Sequence, residues 1–330
     1  MTLFEKSLNT IELPAVLELL AGQAVSEGAK EKAGSIAPST DIYKVRERLY
    51  QTSAAKKMME LRGSPSFGSV RDVSGAVTRA DMGGSLNTAE LLDIAGVLRA
   101  AAGAIAYCDG GDGQTAIDHL FYGLRANKYL ENKISTSIIG VDEIADSASR
   151  ELADIRRHMR IAGDKARQSL NKIVSGPMSK YLQEPIITIK NDRFVVPVKA
   201  EHKGAVPGLV HDISSSGATL FVEPMSAVQA NNEIRELLAK ERKEIERILA
   251  ELSAEVAAHG EDIKTDYKVL TELDLVFAKA KLSYRLDCTQ PEISEGHGII
   301  LRSARHPLLP KDTAVPVDIR LGGEFDTLVI

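Results

Sequence analysis

The chain has no tryptophan, only two cysteines, and aromatic residues at 5% of its 330 positions. So few aromatics argue against a β-sandwich and against a module that stacks bases on rings. Cys108 and Cys288 can form neither a zinc cage of their own nor a disulfide framework, so a reducing cytoplasm is the expected compartment. No unbroken run of about 18 apolar residues occurs, and no membrane span or membrane partner is expected. The opening MTLFEKSLNTIELPAVLELL carries Glu5 and Glu12 and no basic lead-in to an apolar core, unlike a secretory signal. An excess of positive charge is also missing, with 41 basic and 46 acidic residues and a net charge of −5. Any nucleic-acid binding therefore needs a local patch. What is present, 44% hydrophobic and 26% charged residues, excludes a wholly disordered chain. The length suggests two or three domains.

The first 130 residues read as short helices. Leu13, Val16, Leu17 and Leu20 keep helical spacing. A second helix is predicted from about Ile42 to Leu61, with Val45, Leu49 and Met58 on its apolar side and Gly63 as its stop. Asn87 or Thr88 caps a third, which holds Leu91, Leu92, Ala95, Val97 and Leu98. Asp109-Gly-Gly-Asp-Gly113 reads as a connection between helices, since the acid ladder of a calcium loop is missing.

Two long amphipathic runs follow. From Val141 to Ser175, Ile144, Ala148, Leu152, Ile155, Met159, Ala162, Ala166, Leu170 and Ile173 step by three or four between charged residues. This predicts one helix of about 50 Å that stops at Gly176-Pro177. A second helix begins near Ser226, where Ser226 and Gln229 have capping-box spacing. Its seam is Ile234, Leu238, Ile245, Leu249, Leu252 and Val256, interrupted by Glu241, and it reaches His259-Gly260. A helical pattern resumes through Ile263, Tyr267, Leu270, Phe277 and Tyr284.

Residues 177–225 read as β. Ile186–Ile189 faces Phe194–Val196 across Lys190-Asn-Asp-Arg193, a hairpin. Leu209-Val210 and Ile213 precede the turn Ser214-Ser-Ser-Gly217, and Thr219–Val222 is a further strand. Two helices of matched length thus flank a small β unit, which predicts an antiparallel helical arm with a β-rich tip. At the end, Ser303–Leu309 reads as a loop motif, and Pro316–Ile319 and Phe325–Ile330 as strands. An apolar strand with nothing after it leads us to expect a truncated chain.

The runs Asn191-Asp-Arg-Phe-Val-Val-Pro-Val-Lys-Ala-Glu201 and Gly208-Leu-Val-His-Asp-Ile-Ser-Ser-Ser-Gly-Ala-Thr-Leu-Phe-Val-Glu-Pro224, with Leu275–Lys281 and Ala304-Arg-His-Pro307, resemble the MutS family. They resemble in particular its second bacterial paralogue, which lacks the amino-terminal mismatch-reading domains. The resemblance covers nearly the whole chain. It implies a mainly α fold with a small β unit. Residues 1–140 become a helical core and lever domain. Residues 141–260 become a coiled-coil arm with a β clamp tip at about 177–225. Residues 261–292 are the returning core and lever helix, and 293–330 the first strands of an α/β ATPase domain. A strand like Thr327–Ile330 leads, in the family, into a Walker A loop. That loop and the small nuclease domain are absent from these residues, so ATP and Mg²⁺ are expected only in the full-length protein and no cofactor in this stretch. Neither ATP hydrolysis nor nicking is expected of it.

Candidate site residues follow. Lys190, Arg193, Lys199 and Lys203, with Lys180, stand against Glu184, Asp192 and Glu201 within residues 178–211, a local excess of basic charge. With His202 and His211 they are the candidate phosphate contacts, giving affinity without sequence choice; a solvated hairpin with ordinary surface lysines is the competing reading. Arg305, His306 and Pro307 are the candidate residues beside a nucleotide, by resemblance. Ser214–Gly217 reads as a polar turn before a phosphate-cradling nest. Arg156, Arg157 and Arg160 read as a solvated helix face before a nucleic-acid lining. Histidines 202, 211, 259, 297 and 306 have no metal-ligand spacing, and neither cysteine has a local catalytic signature.

The resemblance implies a homodimeric, ATP-gated clamp that closes its arms on nucleic acid. It implies an ATP hydrolase and candidate endonuclease that suppresses homologous recombination through branched DNA, or splits collided ribosomes by touching ribosomal RNA and its neighbours. This stretch alone is expected to dimerise weakly or not at all. The alternative is a coiled-coil scaffold whose β tip binds a protein partner. Replacing Lys190, Arg193, Lys199 and Lys203 together by glutamine separates the two, because only the clamp loses salt-dependent binding.

Overall fold

The computed structural model describes residues 3–109, 114–296, 298–310, 312–323, 325 and 327, with side chains from residue 6 onward. Most of the predicted strand Phe325–Ile330, the centre of the Asp109–Gly113 connection and position 297 lie outside the described residues. The fold is mainly α with small antiparallel sheets. It divides into two compact units, Met1–Ile134 with Ser253–Ile330, and Ser135–Leu252.

The first unit is built from α1 (Leu3–Thr10), α2 (Leu13–Ala21), α3 (Glu27–Gly34), α4 (Ile42–Arg62), α5 (Ser74–Asp81), α6 (Thr88–Asp109), α7 (Asp118–Tyr122) and most of α8 (Lys128–Ser137). They gather on α11 (Gly260–Leu286), which contacts α2 to α7. The middle of α11 is buried nearly all round, with Leu270, Leu273, Val276, Phe277, Ala278 and Ala280 among its buried residues and charged side chains concentrated toward its ends. Phe277 meets Phe67 and Tyr107 at ring separations of 6.0 and 5.8 Å. The buried Asp274 carboxylate accepts from the Ser26 N–H and hydroxyl, both at 2.7 Å, and from the Val25 N–H at 3.0 Å. It thereby anchors the residues that lead into α3 to α11 and satisfies the buried Ser26 N–H. Gly260 opens α11 against α5, where an added Cβ would fall 2.5 Å from Asp81 Oδ1.

The 22-residue α6 is long and apolar enough to cross a membrane by length and composition, although no unbroken apolar run marks it. Half of that window is buried in the unit, and α6 packs on α11 and α7.

A two-stranded sheet of β7 (Ile299–Ala304) and β8 (Val317–Leu321) follows α11. Strand β7 includes Ser303 and Ala304, which the sequence assigns to a loop, and β8 starts one residue later than predicted.

The second unit opens with β1 (Ile138–Gly140) paired to β2 (Glu143–Ile144). The predicted helix from Val141 therefore starts only at Arg150. Ser149 ends the preceding turn and its hydroxyl accepts the Leu152 N–H at 2.9 Å, a local N-cap. Helix α9 (Arg150–Val174) has 25 residues against 34 in α10 (Met225–Ala258). At about 1.5 Å per residue these are about 37 and 51 Å, so the helices flanking the β unit are not matched in length.

The two helices run antiparallel, shown by paired contacts of opposite sequence direction. Ser149 donates to Glu244 at 2.6 Å, Arg156 to Glu241 at 2.7 Å, and Ser169 to the Ser226 carbonyl at 3.1 Å. Ala162 and Ala166, fully buried, pack on Ile234 with Ala230, Leu238 and Phe194 around them. On α10 the buried seam is Ile234, Leu237, Ile248 and Leu252, while Ile245 and Leu249 are half-buried. Glu241, the polar interruption, is where Arg156 crosses from α9.

Between the helices, β3 (Thr188–Lys190), β4 (Arg193–Lys199), β5 (Gly208–Ile213) and β6 (Thr219–Pro224) form an antiparallel sheet in the order β3-β4-β6-β5. Asn191 and Asp192 take φ of 51° and 59°, the left-handed pair that a two-residue hairpin turn requires. Val196, Val198, Leu220 and Val222 bury one sheet face against Leu170 of α9 and Ala227 of α10.

Candidate nucleic-acid interface

The sheet register decides which cations of the tip reach solvent. Arg193, on β4, and Glu223, on β6, converge at the start of the sheet. Arg193 Nη1 lies 2.6 Å from Glu223 Oε1, and its Nη2 donates to Asn232 Oδ1 at 2.8 Å. The Glu223 carboxylate is completely buried, and the Arg193 side chain is 12% exposed. His211 sits at a bulge in β5 between Val210 and Asp212, and its Nε2 lies 2.5 Å from Glu223 Oε2. Asn231 completes the cluster by donating to Glu223 Oε1 at 2.7 Å. Burial alone would raise the Glu223 pKa. Hydrogen bonds from Asn231, His211 and Arg193 more than offset it and hold the carboxyl below its ordinary range. Arg193 and His211 are thus committed to a buried carboxylate. In this conformation neither faces outward as a phosphate contact would.

Lys190 is half-committed. Its ammonium lies 3.2 Å from Asp212 and 4.5 Å from the Phe221 ring centroid. A hydrogen bond from the Ile213 N–H, then the one from Lys190, lowers the Asp212 pKa.

The remaining candidates gather elsewhere. Lys199 Nζ donates to the Lys180 carbonyl at 3.3 Å, which brings the end of β4 to residues 180 and 181. His202 meets Tyr181 edge-on at 5.1 Å and lies 3.6 Å from Glu201. Lys180 Nζ stands 4.9 Å from the Tyr181 ring centroid. Lys203 is exposed next to His202 and makes no ion pair among the described residues. Lys180 and Lys199 therefore come together beside Tyr181 and His202, and the exposed Lys203 follows His202 in the chain, so these lysines make an open cationic end of the tip. Lys180 belongs to the basic group counted from the sequence, whereas Tyr181 was not singled out there; its signal was an aromatic next to a cation, just before the first tip strand.

The turn at Ser214–Gly217 is a closed one. Gly217, at φ +71°, donates to the Ser214 carbonyl at 2.8 Å, and Thr219 N–H goes to Ser214 Oγ at 3.0 Å. Those amides are unavailable to a phosphate. Arg156, Arg157 and Arg160 of α9 are also paired. Arg156 binds Glu241, Asp146 and the Ile144 carbonyl, each at 2.7 Å. Arg160 lies 3.3 Å from Asp146, and Arg157 lies 3.0 Å from Asp154. The hydrogen bond from Arg156 holds the Asp146 pKa down.

In the first unit, His306 Nε2 lies 3.3 Å from Glu12, and its Nδ1 accepts the Leu308 N–H at 3.3 Å. Arg305 and Pro307 are exposed. These residues form no phosphate cradle, and the chain contains no Gly-x₄-Gly-Lys-Ser/Thr loop. They do not fit a nucleotide by themselves. No cluster of His, Cys, Asp and Glu among the described residues could hold a metal ion.

The fold is mainly α with a small β unit, the class that the MutS resemblance implies. No family model matches the chain. Over 99% of its length it is similar to proteins named endonuclease MutS2. It is 41% identical over 331 residues to that of Acetivibrio thermocellus, 40% over 330 residues to that of Ruminiclostridium cellulolyticum, and 43% over 329 residues to that of Clostridium perfringens. The chain spans 42% of the length of each of these relatives.

Proposed function

We propose that the chain is the core, lever and clamp part of a dimeric MutS-type clamp on nucleic acid, whose tip meets phosphates through Lys180, Lys199 and Lys203. The observation that carries this reading is the open cationic group at one end of the tip sheet. These lysines are not neutralised by carboxylates, unlike Arg193 and Lys190, so they are the ones free to release counterions from a phosphate backbone. The relatives' name, endonuclease MutS2, supports a nucleic-acid substrate. In the whole protein, ATP and Mg²⁺ would gate the clamp from residues other than those described, and nuclease chemistry would lie elsewhere too. Branched DNA and ribosomal RNA both present the phosphates this tip suits.

The test is titration of the chain with a four-way DNA junction, a plain duplex and ribosomes at several salt concentrations. The clamp reading expects binding that weakens steeply with salt. A protein-binding scaffold, the alternative reading, expects no salt-dependent binding to any of the three.

A further inference from the structure

We propose that the free edge of β3, with the groove between it and α9, docks an extended peptide that carries an acidic and an aliphatic residue two positions apart and adds to the sheet as a strand. This goes beyond the nucleic-acid reading and stands independently of it. The groove has a volume of about 600 Å³ and is lined by Arg167, Asn171, Ile187, Thr188, Ile189 and Phe194.

Backbone polarity defines the edge. Strand β3 is the outer strand of its sheet and pairs only with β4, with Ile189 opposite Phe194. The Phe194 N–H donates to Asn231 Oδ1, and the Phe194 carbonyl accepts from Asn231 Nδ2, both at 3.0 Å. Phe194 therefore gives neither group to β3, and Ile189 with Phe194 is a non-hydrogen-bonded pair. In such a pair the N–H and C=O of both residues point away from the partner strand. The Ile189 N–H and C=O thus face the open edge, with no backbone partner among the described residues. Ile189 is 57% exposed and Ile186 46%. Edge strands are ordinarily blunted by an outward lysine or proline. Here Lys190 instead folds over Phe221 toward Asp212, leaving the edge open.

The groove chemistry selects the occupant. Arg167 stacks over Phe194 at 5.2 Å, its side chain is 59% exposed, and its ion pair with Asp164 is long at 3.7 Å. The Asn171 amide, one turn further on, is exposed. A carboxylate fits between these donors. An aliphatic side chain fits beside Ile187 and Ile189, which share the sheet face of Phe194, so the acidic and aliphatic residues of the peptide stand two positions apart. The guanidinium already covers the Phe194 ring, so a nucleobase finds no open aromatic face, which favours a peptide over single-stranded nucleic acid. Main-chain pairing then gives affinity, and the two kinds of side chain give specificity.

The test uses the full 330-residue chain with labelled isoleucine methyl groups. The probe is a library of acetylated, amidated hexapeptides in which Glu stands two residues from Ile, Val or Leu. We expect saturable shifts of Ile186, Ile187 and Ile189. Ile189→Pro removes an N–H that the β3–β4 ladder does not use, a substitution an edge strand tolerates, and should weaken binding at least tenfold. Arg167→Glu should do the same. N-methylating the peptide tests the same backbone bonds from the other side, should the proline variant fail to fold. No methyl shift at about 1 mM peptide, or shifts unchanged in both variants and with N-methylated peptide, overturns the proposal. Equal shifts with oligothymidine make the groove a nucleic-acid contact and overturn it too.

Discussion

Glu223 shows how a single buried carboxylate redirects its neighbours. Three donors converge on it, and two of them, Arg193 and His211, were expected at the surface. Glu223→Gln should cost about 3 kcal/mol or more in urea unfolding, because it leaves Arg193 buried without its counter-charge. The folded-state pKa is depressed, so the contribution is present above the unfolded value of 4.5 and is lost as pH falls through the folded one. Asp266 has the opposite sign. It is fully buried, accepts the Arg125 N–H at 2.7 Å through Oδ1, and among the described residues has no partner for Oδ2. Burial, with Asp262 nearby adding to it, pushes its pKa from 3.8 to about 6. Its favourable state is the protonated one, fully present below pH 3.8 and lost as pH rises through about 6. At about 1.4 kcal/mol per pH unit, the ionised form costs about 3 kcal/mol. Asp266→Asn should therefore gain stability relative to the natural chain between pH 4 and pH 7, measured by urea unfolding across that range. A constant difference between the two would contradict this. Neither carboxylate was legible beforehand, because burial and partners are set by residues far away in the chain.

At the scale of elements, the arm rests on small residues and cross-helix charge. Ala166 is fully buried beside Ile234. Ala166→Leu should overpack this contact and cost about 1–3 kcal/mol. Amides of α9 and α10 should then exchange faster, with those of α11 unchanged. The existence of α9, α10 and the tip hairpin was readable from periodicity and from Asn191-Asp192. The start of α9 was not. Ile144 and Ala148 continue the helical spacing, but the β1–β2 pairing claims Ile144 and the turn at 146–148 claims Ala148. The α10 seam also departs from its expected positions, since Leu237 and Ile248 are buried in place of Ile245 and Leu249. A straight α-helix drifts against a fixed heptad.

At the scale of the whole molecule, the MutS likeness was legible from the tip sequence, where specific residues must fit specific strands. The list of phosphate contacts was only partly so. Charge counting treats Lys190, Arg193, Lys199 and Lys203 alike, whereas register sends Arg193 inward and brings Lys180 to Lys199. Replacing Arg193 in a binding test would therefore confuse lost stability with lost contact. The measurement that tests the account most directly is the salt dependence of four-way-junction binding by the chain and by its Lys180→Gln, Lys199→Gln, Lys203→Gln triple variant. The account predicts weaker binding and a log–log slope shallower by about 2 to 3 in the variant, with the unfolding midpoint unchanged. An unchanged affinity and slope would remove this end of the tip from nucleic-acid binding.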